Sequence, residues 1–376
     1  MKHSQKNEIS KHYLTSKLLT KLFFLNLIIQ LWSCVPKEIG VMINETIQEP
    51  FDDQKIINVH YVTTRRELTN KENCDEAAYG FITDINPHYG TCLVSTPTNR
   101  AIGDISLDNK ADKSKFFQLK GRLNLNESDF FSKLKESKAK EILIFVHGFN
   151  VNFDEAATRA AQIKFDLKFQ GDVVLYSWPA GSEASLLGQV MVRSVYESNF
   201  AEAKINRNPF LTFLKSIKST GKKLHLVVHS MGHQVVLPAI SEASAEGGAS
   251  KWITELVLNA PDYDRAEFSL VLPGLLGVSN RVTLYCSPGD NALLASQKVN
   301  GGQRAGMCFK YPGVDVINVN EVDSPVLGVG GLGHGYYSSR PILTDMYQVL
   351  FGVSVEKRLF IRRSGANNGE NWVLRK

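Results

Sequence analysis

The chain has 376 residues, of which 43% are hydrophobic and 22% are charged, which is typical of a globular protein with room for a large core. Its formal net charge is +5, but residues 1–33 contain five lysines and one acid, so the remainder is almost neutral. No basic stripe with interleaved aromatic residues stands out, and we therefore expect no nucleic-acid partner.

Residues 1–34 are predicted to be a secretory signal peptide, in which lysines precede the apolar run Leu22–Trp32. This run of eleven residues is shorter than the roughly 20 residues of a membrane-spanning helix. The ending Leu31-Trp32-Ser33-Cys34 resembles a bacterial lipobox with an unusual Trp32, and Cys34 would then carry lipid. An uncleaved signal anchor and an ordinary cleaved signal are the alternatives. We expect an exported protein attached to the membrane of the bacterial cell envelope, with a tether over residues 35–55.

If Cys34 carries lipid, four cysteines remain, and an exported protein can form disulfides. We predict the pair Cys74–Cys92, because both residues lie in or next to a loop-rich stretch. Cys286 ends an apolar strand and fits a buried thiol, and Cys308 is the fourth residue. Four cysteines permit three pairings, and the sequence does not choose among them.

The folded domain is predicted over residues 56–351, followed by a C-terminal extension over residues 352–376. It begins with a strand at 56–66, and residues 67–93 are predicted to form a loop because they are rich in Asn, Asp and Gly. The other elements predicted before residue 140 are two short strands and one capped helix, at 92–95, 115–120 and 127–137.

From residue 141 onward, continuous apolar strands alternate with helical segments. The predicted strands are Ile142–Val146, Val173–Tyr176, Leu224–Val228, Ile253–Leu258, Val282–Cys286 and Val314–Val319. The predicted helices are Asp154–Phe169, Asn208–Ser219, Gly232–Ala245, Arg265–Leu272 and Ile342–Phe351. This alternation predicts an α/β fold with a mostly parallel central sheet flanked by helices. The connection between 177 and 224 is too long for a bare loop, and we expect a helix near the active site there.

The stretch Leu224–Gln234 is predicted to be a buried strand, a sharp turn with a serine at its tip, and a helix. That is the layout of the nucleophile elbow of α/β hydrolases. Ser230 is therefore the predicted nucleophile, and Gly232 provides the small residue that the turn requires. Val228 stands in place of the first glycine of the pattern G-x-S-x-G. The alternative is an ordinary buried serine at a strand end.

A serine nucleophile needs a general base, and the base needs an acid to orient it. Only His233 and His334 follow Ser230, and His233 leaves no room for an intervening acid, so the family order of serine, acid and histidine selects His334. Asp290, in the turn after the predicted strand 282–286, is the predicted acid. Asp262, one strand earlier, is the alternative acid.

The segment His147-Gly148-Phe149-Asn150 follows a predicted strand and matches the H-G-x motif of an oxyanion loop. The backbone N–H groups of Phe149 and Met231 are the predicted oxyanion donors, and His147 is assigned a structural role.

Three histidines, His225, His229 and His233, are spaced by four residues, as the zinc motif H-E-x-x-H requires. No Glu follows any of them, and the segment has strand composition followed by a turn. We therefore expect no metal and no other cofactor.

These features together resemble the α/β-hydrolase superfamily over roughly residues 140–350. The segments 62–65, 88–95 and 260–264 resemble a bacterial branch of exported α/β hydrolases of unknown function, which extends the likeness to about residues 56–351. The resemblance implies a serine hydrolase that cleaves an ester, thioester or amide in a small-molecule or lipid-like acyl substrate. An acyltransferase would use the same acyl-enzyme. The alternative is a non-catalytic envelope lipoprotein that uses the fold as a binding scaffold.

Overall fold

An eleven-stranded sheet forms the centre of the part of the chain that the structure describes. This computed structural model describes residues 56–69, 73–74, 78–106, 111–182, 189–247, 250–322, 334–364 and 372–375. The predicted signal peptide, the lipidation candidate Cys34 and the predicted tether lie outside these residues.

The strands are β1 (Ile56–Glu67), β2 (Tyr79–Ser95), β3 (Gln118–Leu125), β4 (Glu141–Val146), β5 (Asp172–Ser177), β6 (Lys223–His229), β7 (Ile253–Asn259), β8 (Ser279–Cys286), β9 (Asp315–Asn318), β10 (Ile361–Arg363) and β11 (Trp372–Leu374). Their order across the sheet is β10-β11-β9-β8-β7-β6-β4-β5-β1-β2-β3. The strands from β11 to β1 in this order are parallel. Antiparallel pairs occur only at the two ends of the described sheet.

Eight α-helices among the described residues flank the sheet. They are α1 (Glu127–Glu136), α2 (Phe153–Asp166), α3 (Gln189–Ile205), α4 (Arg207–Lys218), α5 (His233–Gly247), α6 (Arg265–Val278), α7 (Asn291–Asn300) and α8 (Arg340–Leu350). The predicted α/β class, with a mostly parallel central sheet flanked by helices, is confirmed. Helix α7 was missing from the prediction because it is short and buries only Leu293 and Ser296, which leaves no helical periodicity.

Two apolar layers, one on each face of the sheet, hold the helices in place. Along β4, Ile142, Ile144 and Val146 belong to one buried cluster, and Leu143 and Phe145 belong to the other. This alternation follows from the period of two in a strand. The first cluster contains side chains of α1, α3, α4, α5 and α6, whereas the second contains side chains of α2, α7 and α8. The domain is therefore a helix–sheet–helix sandwich.

The prediction of a loop over residues 67–93 is wrong for most of its length, because β2 occupies Tyr79–Ser95. This strand pairs antiparallel with β1 on one side and with β3 on the other. Much of it is only half-buried and its burial does not alternate, so neither of the sequence patterns of a strand appears. Backbone pairing on both sides stabilises a segment whose composition is typical of a loop.

Two disulfides are present among the described residues. The predicted pair Cys74–Cys92 is formed. Cys286 forms a disulfide with Cys308, so its interpretation as a free buried thiol is wrong. The loop after α7 brings Cys308 to the end of β8, and the sequence contains no signal for that approach.

The C-terminal extension contributes two short strands to the edge of the sheet. Strand β11 pairs with β9, and β10 pairs with β11. Ile361 and Leu374 are buried in the second apolar cluster, so the sheet continues beyond residue 351. Within the described residues, no helix has both the length and the apolar character needed to span a bilayer.

The direction in which successive strands join the sheet reverses around β4. The chain passes from β4 through α2 to β5 on one side of β4, and it returns through α3 and α4 to β6 on the other side. Such a reversal of strand order opens a crevice at the carboxyl ends of the two central strands, where α/β proteins bind ligands. The carboxyl ends of β4 and β6 carry the predicted oxyanion loop and the predicted nucleophile.

Candidate active site

Ser230 lies in the sharp turn between β6 and α5. Its φ is 52°, a left-handed conformation that is strained for a residue with a side chain. Residues Ser230–Gly232 form a 3-10 turn before the helix begins. A Cβ atom on Gly232 would lie 2.5 Å from the carbonyl oxygen of His147, so this position requires glycine. The turn therefore has the shape of the predicted elbow.

Val228, which replaces the first glycine of the serine motif, is fully buried. It lies in β6 between Val146 of β4 and Leu258 of β7. All three residues belong to the same apolar cluster. The larger side chain is accommodated there because it faces this apolar layer.

The structure brings the three predicted catalytic side chains into one hydrogen-bonded chain. His334 Nε2 lies 2.6 Å from Ser230 Oγ, and His334 Nδ1 lies 2.7 Å from Asp290 Oδ2. A carboxylate can only accept hydrogen bonds, so Nδ1 carries the proton of the neutral imidazole. The lone pair on Nε2 then faces the serine hydroxyl, which is the arrangement a general base requires.

Asp290 is held in place by the start of α7. It is fully buried, and its Oδ1 accepts hydrogen bonds from the backbone N–H groups of Ala292 and Leu293, each at 3.0 Å. Asp290 is thus the N-cap residue of this helix, where the helix dipole also favours a negative charge. Capping occupies Oδ1 and leaves Oδ2 directed at His334.

Asp262, the alternative acid, lies beside the elbow but binds other partners. Its Oδ2 accepts a hydrogen bond from Tyr196 at 2.9 Å, and its Oδ1 accepts one from Ser296 at 2.5 Å. Burial raises the pKa of this carboxyl, although the Ser296 hydroxyl and the Arg304 guanidinium oppose the rise. Its backbone N–H donates to the carbonyl of Ser230 at 3.3 Å. The geometry therefore favours Asp290 as the partner of His334.

The predicted oxyanion loop lies against the elbow. A Cβ atom on Gly148 would lie 2.7 Å from Ser230 Cβ and 2.9 Å from His229 Nδ1, so the loop approaches the serine as closely as a glycine permits. Phe149 follows Gly148 at the end of β4, and Met231 follows Ser230. The Met231 N–H lies at the first turn of a helical segment, where backbone N–H groups have no intrahelical acceptor.

Two further histidines stabilise the elbow. His233 Nδ1 lies 2.6 Å from the Ser230 carbonyl oxygen, and burial lowers the pKa of His233 to about 3, so the neutral ring donates this hydrogen bond. The ring of His229 stacks on Tyr337 with centroids 3.8 Å apart. His229 Nε2 lies 3.2 Å from the backbone oxygen of His334, and this contact fixes the loop that carries the base.

The histidines spaced by four residues do not converge. His225 lies at the beginning of β6, 3.4 Å from Glu141, whereas His229 and His233 bind carbonyl groups around the elbow. Among the described residues, no group of three or more His, Cys, Asp or Glu side chains is arranged to hold a metal ion.

Sequence reasoning missed three buried side chains that support this site: Arg65, Tyr196 and Asn199. Tyr196 binds Asp262, and its ring lies 5.7 Å from that of Phe149. Arg65 and Asn199 bind the oxyanion loop through contacts that span 82 and 49 residues of sequence. No local motif signals contacts of this kind.

Comparison with known proteins supports the assignment of the fold. The comparison with curated proteins gives no match. The model of a family described as an alpha/beta hydrolase of unknown function (DUF900) matches residues 124–353, which is more than half of the chain. The matched segment contains the elbow, the oxyanion loop, Asp290 and His334. The chain therefore belongs to this family of α/β hydrolases.

Proposed function

We propose that this protein is a serine hydrolase that cleaves an ester, thioester or amide bond through an acyl-enzyme. The observation that carries the proposal is the hydrogen-bonded chain from Ser230 through His334 to Asp290, with distances of 2.6 and 2.7 Å. A protein that used the fold only as a binding scaffold would not require this alignment.

In the first half of the reaction, Ser230 Oγ attacks the carbonyl carbon and its proton passes to His334 Nε2. Asp290 stabilises the resulting imidazolium and keeps its ring in orientation. The carbonyl oxygen becomes an oxyanion that accepts hydrogen bonds from the backbone N–H groups of Phe149 and Met231. The intermediate then collapses, His334 protonates the leaving group, and the acyl group remains on Ser230.

In the second half, a water molecule attacks the acyl carbon. His334 accepts one proton from this water, and the same two N–H groups stabilise the second oxyanion. Collapse of this intermediate releases the acid, and the proton on His334 returns to Ser230. The base, the acid and the donors keep the same positions through both halves, so the structure needs no rearrangement between them.

Aromatic side chains next to the oxyanion loop support an apolar acyl group as the substrate moiety. The rings of Phe149 and Tyr196 lie 5.7 Å apart, and those of Tyr196 and Phe200 lie 6.1 Å apart. Phe149 and Phe200 are only partly buried. We propose that they contact the hydrocarbon part of a small-molecule or lipid-like ester.

We also propose that the protein is exported and attached through lipid on Cys34. The two disulfides support this location, because such bonds persist mainly in oxidising compartments. The test is mass spectrometry of the N-terminal peptide of the mature protein from a bacterial membrane fraction. Lipid on Cys34 is expected, and a free or uncleaved N-terminal segment would contradict the proposal.

The proposed reaction is tested by steady-state hydrolysis of nitrophenyl esters with a graded acyl chain. We expect turnover by the wild type and loss of kcat by at least ~10⁴-fold in Ser230→Ala without a change in unfolding temperature. The matched control is Ser279→Ala, since Ser279 is also buried but begins β8 at the opposite edge of the sheet. A folded wild type that turns over no ester, thioester or amide would support the scaffold alternative instead.

A further inference from the structure

Arg65 at the carboxyl end of β1 is fully buried, and the acceptors of its hydrogen bonds among the described residues are all uncharged. A guanidinium has five N–H donors, and each of them has a neutral acceptor here. These are Ser177 Oγ at 2.8 Å, the carbonyls of Gly80, Ala180 and Val151 at 3.1, 2.7 and 2.7 Å, and His147 Nε2 at 3.4 Å. Burial lowers the pKa of Arg65 to about 9, and the charges of Asp154 and Glu155 oppose this shift. Burial of a cation is costly, and these five hydrogen bonds offset part of that cost.

The contacts of Arg65 determine which nitrogen of His147 carries the proton. Arg65 Nη2 can only donate, so His147 Nε2 must accept. Ser177 Oγ accepts from Arg65 Nε and therefore has its own proton free to donate to His147 Nε2, 3.2 Å away. Burial and the neighbouring Arg65 charge lower the pKa of His147 well below its usual range, so the ring is neutral. The remaining proton must lie on Nδ1.

The proton on His147 Nδ1 orients one peptide unit of the oxyanion loop. Nδ1 lies 3.1 Å from the carbonyl oxygen of Gly148 and donates to it. That carbonyl and the Phe149 N–H are the two ends of one planar peptide group. Fixing the carbonyl on the side of His147 therefore directs the N–H to the opposite side. The ring itself is held by stacking on Trp178, whose Nε1–H donates to the His147 carbonyl.

Asn199 of α3 fixes the next peptide group of the loop. Its Oδ1 accepts from the N–H groups of Asn150 and Gly181, at 3.1 and 3.0 Å, and its Nδ2 donates to the Gly181 carbonyl at 3.0 Å. Asn199 is 2% exposed. Asn150 has a φ of 52°, so the loop turns sharply at the point where Asn199 binds it.

We propose that Arg65, His147 and Asn199 are positioning residues that hold the Phe149 N–H in place as an oxyanion donor before substrate arrives. Arg65 sets the tautomer of His147, His147 orients the Gly148–Phe149 peptide, and Asn199 locks the turn that follows. The catalytic consequence rests on the proposed hydrolase function, whereas the tautomer of His147 can be measured without any turnover.

The first test reads the tautomer by ¹⁵N NMR of histidine-labelled protein, with the His147 signals assigned by their loss in His147→Asn. We expect a proton on Nδ1, an unprotonated Nε2 and no titration across neutral pH. A proton on His147 Nε2, or titration of His147 near neutral pH, would overturn the proposed positioning role of Arg65 and His147, whether or not the protein is an active hydrolase.

The second test uses a matched pair at position 147. In His147→Leu the donor to the Gly148 carbonyl is lost, and we expect kcat for an activated ester to fall ~10–100-fold with little change in KM, part of the loss expected when one oxyanion donor is removed. In His147→Asn an amide N–H occupies the place of Nδ1–H, and most of kcat should return. The pH profile should keep its shape in both variants, because the triad is intact. Equal activity of the leucine variant and the wild type would refute the catalytic role.

The third test separates positioning from general stabilisation. Arg65→Lys keeps the charge but cannot bind five acceptors, and Asn199→Ala removes the lock on the turn. Arg358→Lys and Gln162→Ala are the controls, since both residues are almost fully buried and bind groups away from the oxyanion loop. We expect kcat losses only in the first pair. Similar losses in the control pair would show that any buried polar contact has this effect, and would contradict the proposal.

Discussion

Replacement of Asp290 by asparagine should disable the base without disturbing the fold. In the wild type, Asp290 Oδ1 accepts two backbone N–H groups and Oδ2 accepts from His334. In Asp290→Asn the amide oxygen must take the capping position, because an NH₂ group cannot accept those hydrogen bonds. The NH₂ group then faces His334 Nδ1 and forces that nitrogen to accept. The imidazole proton moves to Nε2, which can no longer take the proton of Ser230.

The size of this effect follows from the tautomer. A histidine held in the wrong tautomer by the same substitution in a serine protease costs about 10⁴-fold in kcat, or about 5.4 kcal/mol of transition-state stabilisation. Asparagine caps a helix about as well as aspartate does, so the free energy of unfolding should change by less than about 1 kcal/mol. The assay is kcat for an activated ester, with unfolding by urea measured on the same samples.

The matched control for Asp290→Asn is Asp262→Asn. Asp262 accepts from the hydroxyls of Tyr196 and Ser296, which can rotate to accommodate an amide, so kcat should stay within about 10-fold of the wild type. The opposite order of activities, with Asp262→Asn inactive and Asp290→Asn active, would refute the reasoning and make Asp262 the catalytic acid.

Three further predictions follow from individual contacts. Gly148→Ala should reduce kcat for the same ester by ~10²-fold or more, because its Cβ would lie 2.7 Å from Ser230 Cβ, and full activity would show that the loop can move away. Burial raises the pKa of Glu255 to about 7 in the folded protein. The stabilisation linked to this shift is therefore fully present at a pH below the pKa of Glu255 in the unfolded chain, and it is lost as the pH rises through 7. Urea unfolding should therefore show the wild type losing stability relative to Glu255→Gln between pH 5 and 8, by about 3 kcal/mol at most, and parallel curves would contradict this. Loss of the disulfide Cys286–Cys308, which spans 22 residues, should lower the free energy of unfolding by about 3 kcal/mol. The measurement compares the wild type with Cys286→Ala and Cys308→Ala, which cannot form this bond.

The parallel sheet and the elbow could be predicted from the sequence because each depends on local pattern. Continuous apolar runs mark buried parallel strands, and the strand–serine–glycine–helix order around Ser230 admits few other structures. The base followed from chain order alone, since only His233 and His334 come after the serine. These features can be recognised from the order of residues along the chain, and the structure places them at the carboxyl ends of the central strands.

The support of the oxyanion loop and the geometric case for the acid depend on three-dimensional contacts. Chain position favoured Asp290 over Asp262. The structure adds that Asp290 caps α7 and faces His334, whereas Asp262 accepts from Tyr196 and Ser296. Arg65 reaches acceptors up to 115 residues away along the chain. Strand β2 could not be predicted for a different reason. Its half-buried polar residues are held by backbone pairing with the neighbouring strands, which the pattern of side chains along the sequence does not show.

The central claim is that Ser230 is an activated nucleophile, and labelling with a fluorophosphonate probe followed by intact-mass and peptide mass spectrometry tests it most directly. We predict one probe molecule per chain, attached to Ser230, with labelling abolished in Ser230→Ala and strongly slowed in Asp290→Asn. A folded wild type that takes up no probe, or that takes it up at another residue, would contradict the account.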